Sequence, residues 1–141
     1  MKSFTVAKVF VVNEAGELLV LRRSQSDVRR PGQWDFPGGW VDDGEDVRAA
    51  AIRETHEEAG LDVPNITLAF GLSEPAEAHD GPRSGTWIVF IAHVPGQPTI
   101  TLSDEHDEYR WMTLETALKE VVYDRQQRML KYVRDNNLLE Q

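Results

Sequence analysis

The sequence GWVDDGEDVRAAAIRETHEEAGL, residues 39–61, carries the strongest structural pattern in the chain. From Asp46 to Ala59 its residues are mostly good helix formers, which predicts an α-helix. Asp43 can cap this helix, and Asp46 three positions later resembles the second half of a capping box. Gly60 then supplies a left-handed residue at which a helix ends. This stretch therefore predicts one central helix with a defined start and stop.

Three glutamates in this helix occupy positions that do not favour stability. Glu54, Glu57 and Glu58 continue the sector of the helix that begins with small apolar residues and should face the core. Carboxylates spaced i, i+3 and i+4 repel one another, and the last turn of a helix favours cations. A divalent cation would relieve this repulsion, and hard oxygen ligands suit Mg²⁺, with Mn²⁺ as a substitute. An ordinary solvated acidic face is the alternative reading of the three residues alone.

The segments on either side of the helix predict a mixed sheet. Runs rich in β-branched and aromatic residues predict strands at residues 4–12, 18–21, 66–72, 86–94 and 109–112. Residues 34–41 are predicted to be extended but interrupted, and residues 80–85 to form a turn. A second, amphipathic helix is predicted from Thr113 to about residue 133. Strands flanked by two helices give an α/β class with a mixed sheet.

Composition narrows the classes of protein that the chain can belong to. Its 141 residues suffice for one domain, residues 1–141, and a formal net charge of −9 disfavours binding to duplex nucleic acid. There are no cysteines, which excludes disulfides, thiolate metal sites and cysteine nucleophiles. The apolar run at residues 9–12 is too short for a signal peptide or a membrane span. We therefore expect a cytoplasmic protein that does not bind a membrane.

The motif in residues 39–61 resembles a complete Nudix box. It reads Gly39, five residues, Glu45, seven residues, and then RETHEEAGL from Arg53 to Leu61. Thr55 stands where the family usually has an aliphatic residue, and its β-branched side chain can still pack. The approach PGQWDFPGG at residues 31–39 and the late acidic segment around Glu105 are also similar to the family. The resemblance implies an α/β/α sandwich over most of the chain.

The resemblance also implies roles for individual residues. Glu54, Glu57 and Glu58 would bind the divalent metal, joined by the carbonyl of Gly38. A structural ion pair would link Glu45 and Arg53, a pairing for which the planar guanidinium is well suited. The implied reaction is attack of water on phosphorus in a nucleoside diphosphate linked to another group X. Family members place the general base on the box or on a later loop, so the candidates here are Glu54, Glu105 and, third, Glu108.

Substrate contacts are less well marked in the sequence. Arginines near the second strand can reach a phosphate, and aromatic residues on strands can stack on a base or simply fill the core. The candidates are Arg22, Arg23, Arg29, Arg30, Trp34, Trp87 and Phe10. No spacing marks His79, His93 or His106 as a metal ligand.

Several alternatives stay open at this stage. By chain size, a nucleoside triphosphate is the favoured substrate, with ADP-ribose or a nucleotide sugar as the alternative. Pro75 lies near a position that marks ADP-ribose enzymes, and the lack of tyrosine between Leu61 and Val94 argues against dinucleoside polyphosphates. A non-catalytic nucleotide sensor is a further hypothesis, although sensors typically lose box acids. A homodimer is compatible with the family, and the sequence offers no test of it.

Overall fold

The computed structural model describes residues 2–78 and 80–140, which form a mixed β-sheet between helices. The elements are β1 (Ser3–Val12), β2 (Leu18–Arg23), β3 (Trp34–Asp35), β4 (Gly38–Trp40), α1 (Val47–Ala59), β5 (Thr67–Ala78), β6 (Gly81–His93), β7 (His106–Met112), α2 (Leu114–Glu120), α3 (Asp124–Asp135) and a 3₁₀ turn (Leu138–Glu140). The predicted class, an α/β/α sandwich with a mixed sheet, is confirmed.

Strand β1 is the centre of the sheet, whose order is β3-β2-β1-β6-β5. It pairs with β6 in parallel along its whole length, from Ser3 opposite Ser84 to Val12 opposite His93. Its other edge is divided, because β4 pairs with it at residues 6–8 and β2 only at Val12. The remaining strand, β7, pairs with β2. This division places the backbone of β4 directly beside the first half of β1.

Alternate residues of β1 pack into two separate cores. Val6, Phe10 and Val12 face α2 and α3, whereas Ala7, Val9 and Val11 face α1. A strand that is covered on both faces is expected to be almost continuously apolar, and β1 is so apart from Lys8. Lys8 is only 6% exposed, so an ammonium group lies inside the molecule on the α3 side of the sheet.

Helix α1 begins one turn later than its predicted cap. Asp46, not Asp43, is the N-cap, and its carboxylate accepts a hydrogen bond from the backbone N–H of Ala49 at 3.1 Å. The helix ends as predicted at Gly60, whose φ of 69° is left-handed and whose N–H donates to the carbonyl of His56. The prediction of Asp43 as cap was wrong because residues 42–44 form the turn that delivers Glu45 to the helix.

The predicted C-terminal helix is two helices. The β-branched and aromatic residues Val121, Val122 and Tyr123 are weaker helix formers and separate α2 from α3, and Val121 is buried in the core. Gln127 stabilises the break by donating from its amide to the carbonyls of Leu118 and Val121, each at 2.6 Å. Within residues 2–78 and 80–140, no helix is long and apolar enough to cross a bilayer.

The hairpin of β5 and β6 is longer than the predicted strands. Pairing continues to Ala78 opposite Gly81, so the predicted turn at residues 80–85 is mostly strand. Glycine, proline and serine in this segment indicated a turn, but antiparallel pairing with β5 keeps it extended. The ribbon therefore projects beyond the region where β1 supports the sheet.

Candidate active site

A cleft of about 790 Å³ opens where β1, β4, α1, β6 and α3 meet. Its polar lining is divided by charge. Three carboxylates come from α1 and from the loop before β7, namely Glu54, Glu58 and Glu105, and β5 adds Glu77. The basic residues come from β1, β2, the loop after β2 and α3, and they are Lys8, Arg23, Arg29, Arg30 and Arg125. Such a lining can hold a cation and an anionic group side by side.

Glu58 is the most buried of the three carboxylates, with 5% of the residue exposed. Its Oε1 accepts a hydrogen bond of 2.8 Å from the backbone N–H of Gly38. Burial raises the pKa of Glu58 well above its usual value, and the neighbouring Glu105 and Glu54 raise it further, against an opposing effect of Lys8. Ionisation of this carboxyl group is therefore energetically unfavourable in the folded protein.

Glu54 lies one turn earlier on α1 and is partly buried. Burial raises its pKa first, and the charges of Glu57 and Glu105 act in the same direction, while Arg53 opposes them. Crowded carboxylates with raised pKa values are the donor set that a hard divalent cation neutralises. The residues present thus fit such an ion.

Two adjacent glycines bring the backbone of β4 against these carboxylates. A Cβ at Gly39 would lie 2.6 Å from the carboxylate carbon of Glu54, so only hydrogen fits there. A Cβ at Gly38 would lie 2.1 Å from the carbonyl oxygen of Ala7, and the φ of 145° at Gly38 also disfavours a side chain. Gly38, expected to contribute its carbonyl to the metal, lines the cleft.

Arg53 and Glu45 form the ion pair that the family resemblance implied. Arg53 Nε lies 2.8 Å from Glu45 Oε2, and a second guanidinium nitrogen lies 3.0 Å from Oε1. This hydrogen-bonded contact lowers the pKa of Glu45 to about 2. The same guanidinium lies 3.0 Å from Glu54, 3.3 Å from Glu57 and 3.6 Å from Asp42, so it contacts four acids.

Glu57 stands apart from the other acids. Its side chain is 54% exposed, it contacts Arg53, and it is not among the residues that line the cleft. Glu108, the third candidate base, contacts Arg22 at 3.2 Å and Arg110 at 3.6 Å and also lies outside the cleft lining. The structure therefore groups Glu54, Glu58 and Glu105 and leaves Glu57 at the rim.

The basic side of the cleft is organised by Asp35, which the sequence analysis did not single out. Its carboxylate is fully buried and lies 3.4 Å from Lys8, 3.2 Å from Arg23 and 3.4 Å from Arg30. Gln126 of α3 donates to it at 2.9 Å. Burial alone would raise the pKa of Asp35, but Lys8, Arg30 and Gln126 hold it below its usual range. Asp35 thus anchors two arginines in the cleft.

The predicted substrate contacts separate into two groups. Arg23, Arg29, Arg30 and Trp87 line the cleft. Arg22, Trp34 and Phe10 do not: Arg22 contacts Asp107 at 2.7 Å, Trp34 is 8% exposed and Phe10 is completely buried in the core. These three candidates therefore lie outside the cleft, with Phe10 and Trp34 packed in the core and Arg22 paired to an acid.

Sequence reasoning missed Lys8, Asp35 and Gln126. Only Lys8 left a signal, as a charge within an apolar strand that has to be compensated inside the protein. No pattern in the sequence marked His106 as a site residue. His106 is buried, and burial is the main cause that lowers its pKa to about 4. One ligand atom each of Glu58, Glu105 and His106 lies within 4.8 Å of the other two. His79 lies outside the described residues.

The fold and the cleft define an α/β/α protein with an acidic helix beside a mixed sheet. The family model described as NUDIX domain matches residues 2–133, and the chain belongs to the Nudix family. It is therefore a Nudix hydrolase, an enzyme of the pyrophosphohydrolase class. The resemblance noted in residues 39–61 is confirmed.

The chain is similar in sequence to proteins whose names describe different enzymatic activities. The asymmetrical bis(5'-nucleosyl)-tetraphosphatase of Caenorhabditis elegans is 36% identical over 105 residues, 73% of this chain and 72% of that protein. The CTP pyrophosphohydrolase of Escherichia coli is 32% identical over 120 residues, 84% of this chain and 82% of that protein. The octanoyltransferase of Myxococcus xanthus is 36% identical over 114 residues, 78% of this chain but only 30% of that protein.

Among solved structures, a MutT protein from Methanosarcina mazei superimposes with a TM-score of 0.84. It is 28% identical in sequence, and the match covers 96% of both chains. The architecture is thus shared over nearly the whole chain, including both helical layers.

Proposed function

We propose that this chain hydrolyses a pyrophosphate bond in a nucleoside triphosphate, using a divalent cation bound by Glu54 and Glu58. The observation that carries the proposal is the convergence of these carboxylates with Glu105 beside a group of arginines in one cleft. The raised pKa values of Glu54 and Glu58 support it, because acids that resist ionisation in the metal-free protein gain most from a bound cation.

A bound Mg²⁺ or Mn²⁺ would polarise the phosphoryl oxygens, lower the pKa of the attacking water and neutralise charge on the leaving group. Glu54 and Glu58 would hold this ion, joined by the carbonyl of Gly38. Glu57 at the rim would reach it by rotating away from Arg53, which its exposed side chain allows. The proposed cation site thus combines Glu54 and Glu58, which already line the cleft, with Glu57, which would have to change its side-chain conformation.

Glu105 is our proposed general base. It is exposed to solvent and lies within hydrogen-bonding reach of Glu58, so it can take a proton from a water bound beside the two carboxylates. Glu54, the other candidate, is held at 3.0 Å by Arg53 and is better placed to bind the ion. Arg23, anchored on Asp35, would bind the phosphates that are not attacked.

Relatives support two substrate classes. The name of the Escherichia coli relative, CTP pyrophosphohydrolase, agrees with a nucleoside triphosphate. The Caenorhabditis elegans relative, a bis(5'-nucleosyl)-tetraphosphatase, makes a dinucleoside tetraphosphate the second candidate, against the missing tyrosine that disfavoured it. Pro75, the marker for ADP-ribose, is exposed on β5 opposite Ser84 and does not line the cleft, so we rank that substrate third.

The test is product analysis with Mg²⁺ or Mn²⁺ on nucleoside triphosphates, a dinucleoside tetraphosphate, ADP-ribose and nucleotide sugars. We expect turnover of one class, a fall in kcat of roughly 10³-fold in Glu58→Gln, and a smaller fall in Glu105→Gln. Glu120→Gln, an exposed change on α2, is the matched control and should keep the wild-type rate.

Each outcome has a distinct meaning. Turnover that survives Glu58→Gln unchanged would remove the proposed catalytic site. Hydrolysis of the dinucleoside alone would replace the substrate and leave the site intact. Nucleotide binding without any turnover in the wild type would favour the nucleotide-sensor alternative.

A further inference from the structure

Two buried polar atoms in the cleft have no hydrogen-bond partner among the described residues: Nη1 of Arg30 and Oε1 of Gln126. The Gln126 residue is fully buried, and the Arg30 side chain is 17% exposed. A buried donor or acceptor that is left unpaired destabilises the protein. Both residues line the cleft, so a bound molecule can pair with the two atoms once the side chains that cover them shift on binding.

Asp35 fixes the orientation of both side chains. A carboxylate only accepts hydrogen bonds, so the amide nitrogen of Gln126 must face Asp35 Oδ1, at 2.9 Å, and its oxygen must face away. Likewise Nη2 of Arg30 is directed to Asp35 Oδ2 at 3.4 Å, which leaves Nη1 free. The cleft therefore presents one donor and one acceptor, both attached to the same buried carboxylate.

A phosphate cannot satisfy this pair. Phosphate oxygens at neutral pH accept hydrogen bonds, so they suit Arg30 but would be repelled by the oxygen of Gln126. The pair requires a group that carries an acceptor beside an N–H donor. The Watson–Crick edge of a nucleobase offers this combination within one plane.

The surfaces around the pair are flat, as a nucleobase requires. The Arg30 guanidinium lies 4.2 Å from the centre of the Tyr123 ring, and the Arg125 guanidinium lies 3.7 Å from that of Trp87. All four side chains line the same cleft. Planar guanidinium and aromatic groups are favourable stacking partners for a base.

We infer that Arg30 and Gln126 form a specificity pair that recognises the hydrogen-bonding edge of the substrate's nucleobase. This inference rests on the proposed function, and it assigns the base to the Asp35 side of the cleft and the reacting phosphates to the Glu58 side. Arg30 donates to an acceptor on the base, and Gln126 accepts from an adjacent N–H.

The experiment compares each nucleotide with an analogue methylated at its edge donor, such as N3-methyluridine or N1-methylguanosine 5'-triphosphate. For the preferred base, methylation should lower kcat/KM of the wild type by roughly tenfold or more. In Arg30→Lys, which keeps the charge but lacks Nη1, and in Gln126→Met, the difference should shrink to about threefold or less. Gln127→Met, at a neighbouring residue that does not line the cleft, should keep the wild-type ratio.

A binding arm separates this inference from the proposed function. Nucleoside 5'-monophosphates have no anhydride to hydrolyse, so their binding is measured by calorimetry in EDTA, with the methylated analogues beside them. Preference for the unmethylated base, lost in Arg30→Lys, supports the pair even if no triphosphate is turned over. Equal binding of parent and methylated bases by the wild type would overturn it, as would full discrimination in both variants. Failure of every monophosphate to bind, together with no turnover, would overturn both proposals.

Discussion

Gly38 and Gly39 are neighbours in the chain but have different surroundings. The missing side chain of Gly38 makes room for the backbone of β1, since a Cβ would lie 2.1 Å from the Ala7 carbonyl oxygen. The missing side chain of Gly39 makes room for the carboxylate of Glu54. A backbone cannot move aside cheaply, whereas the end of a glutamate can rotate. The first glycine is therefore needed for folding and the second for the position of an acid.

Alanine substitutions should separate these two roles. Gly38→Ala should lower the free energy of unfolding by about 3 kcal/mol or more, because it adds both a backbone clash and an unfavourable φ. Gly39→Ala should cost less than about 1.5 kcal/mol but weaken Mn²⁺ binding roughly 10- to 100-fold, because Glu54 is displaced. Urea unfolding and a Mn²⁺ titration followed by electron paramagnetic resonance measure the two effects. Equal stability of the two variants would contradict this assignment.

Helix α1 carries acids with opposite local environments in its last turn. Glu58 faces the cleft and is buried, while Glu57 is exposed and lies 3.3 Å from Arg53. From the sequence, both residues appeared as equal sources of charge repulsion at the end of a helix. In the structure only Glu58 bears a large penalty for ionisation, since burial dominates its raised pKa. Within this last turn, the unfavourable electrostatic energy is therefore concentrated at Glu58.

Neutralising that position should stabilise the metal-free protein in a pH-dependent way. Because the pKa of Glu58 is higher folded than its ordinary value of 4.5, its ionisation lowers the free energy of unfolding as pH rises above 4.5. Glu58→Gln should therefore raise the Tm in EDTA by about 2–5 °C at pH 8, and this gain should vanish below pH 4.5. Differential scanning calorimetry across this pH range measures the difference. The matched variant Glu57→Gln loses a contact with Arg53 and should gain no stability, so equal gains in both variants would refute this reading.

At the scale of the whole molecule, neighbouring strands do not support the β5–β6 ribbon equally along its length. Strand β1 pairs with β6 only from Ser84 onwards, so residues 76–78 and 81–83 form a two-stranded extension. Isolated two-stranded ribbons are marginally stable. Glu74, on β5 just before this extension, connects the ribbon to α3, with 2.6 Å between its carboxylate and Arg125 Nε and a further contact to Arg128. The extension also contributes Ala76 and Glu77 to the cleft.

Hydrogen exchange should reveal this difference in support. The backbone amides of Gly81 and Arg83 should exchange at least about tenfold faster than those of residues 87–91, which lie between two strands. Glu74→Gln should speed exchange in the extension without changing residues 87–91, and a bound nucleotide should slow it. Exchange followed by mass spectrometry measures both segments, with Glu115→Gln as control. Uniform protection along β6 would show that the extension is as stable as the sheet.

The sequence alone determined the parts of the molecule that depend on local order. Residues 39–61 predicted the central helix and its stop at Gly60, because helix formers followed by a glycine define those limits locally. The same residues identified the family, and the resemblance implied the contact of Arg53 with Glu45. Alternating and continuous apolar runs likewise located the strands of the mixed sheet, although residues 80–85 and 121–123 were misread where pairing or packing overrode local preference.

The tertiary structure alone decided which charges share the cleft. Asp35, Lys8 and Gln126 come from β3, β1 and α3, with a separation of 91 residues between positions 35 and 126 alone, and no periodicity connects them. Whether a glutamate is buried or exposed also depended on what packs against its helix, which distinguished Glu58 from Glu57. Burial and ion pairing are properties of assembled surfaces, so they set the pKa values and the cleft lining only after the sheet has brought distant segments together.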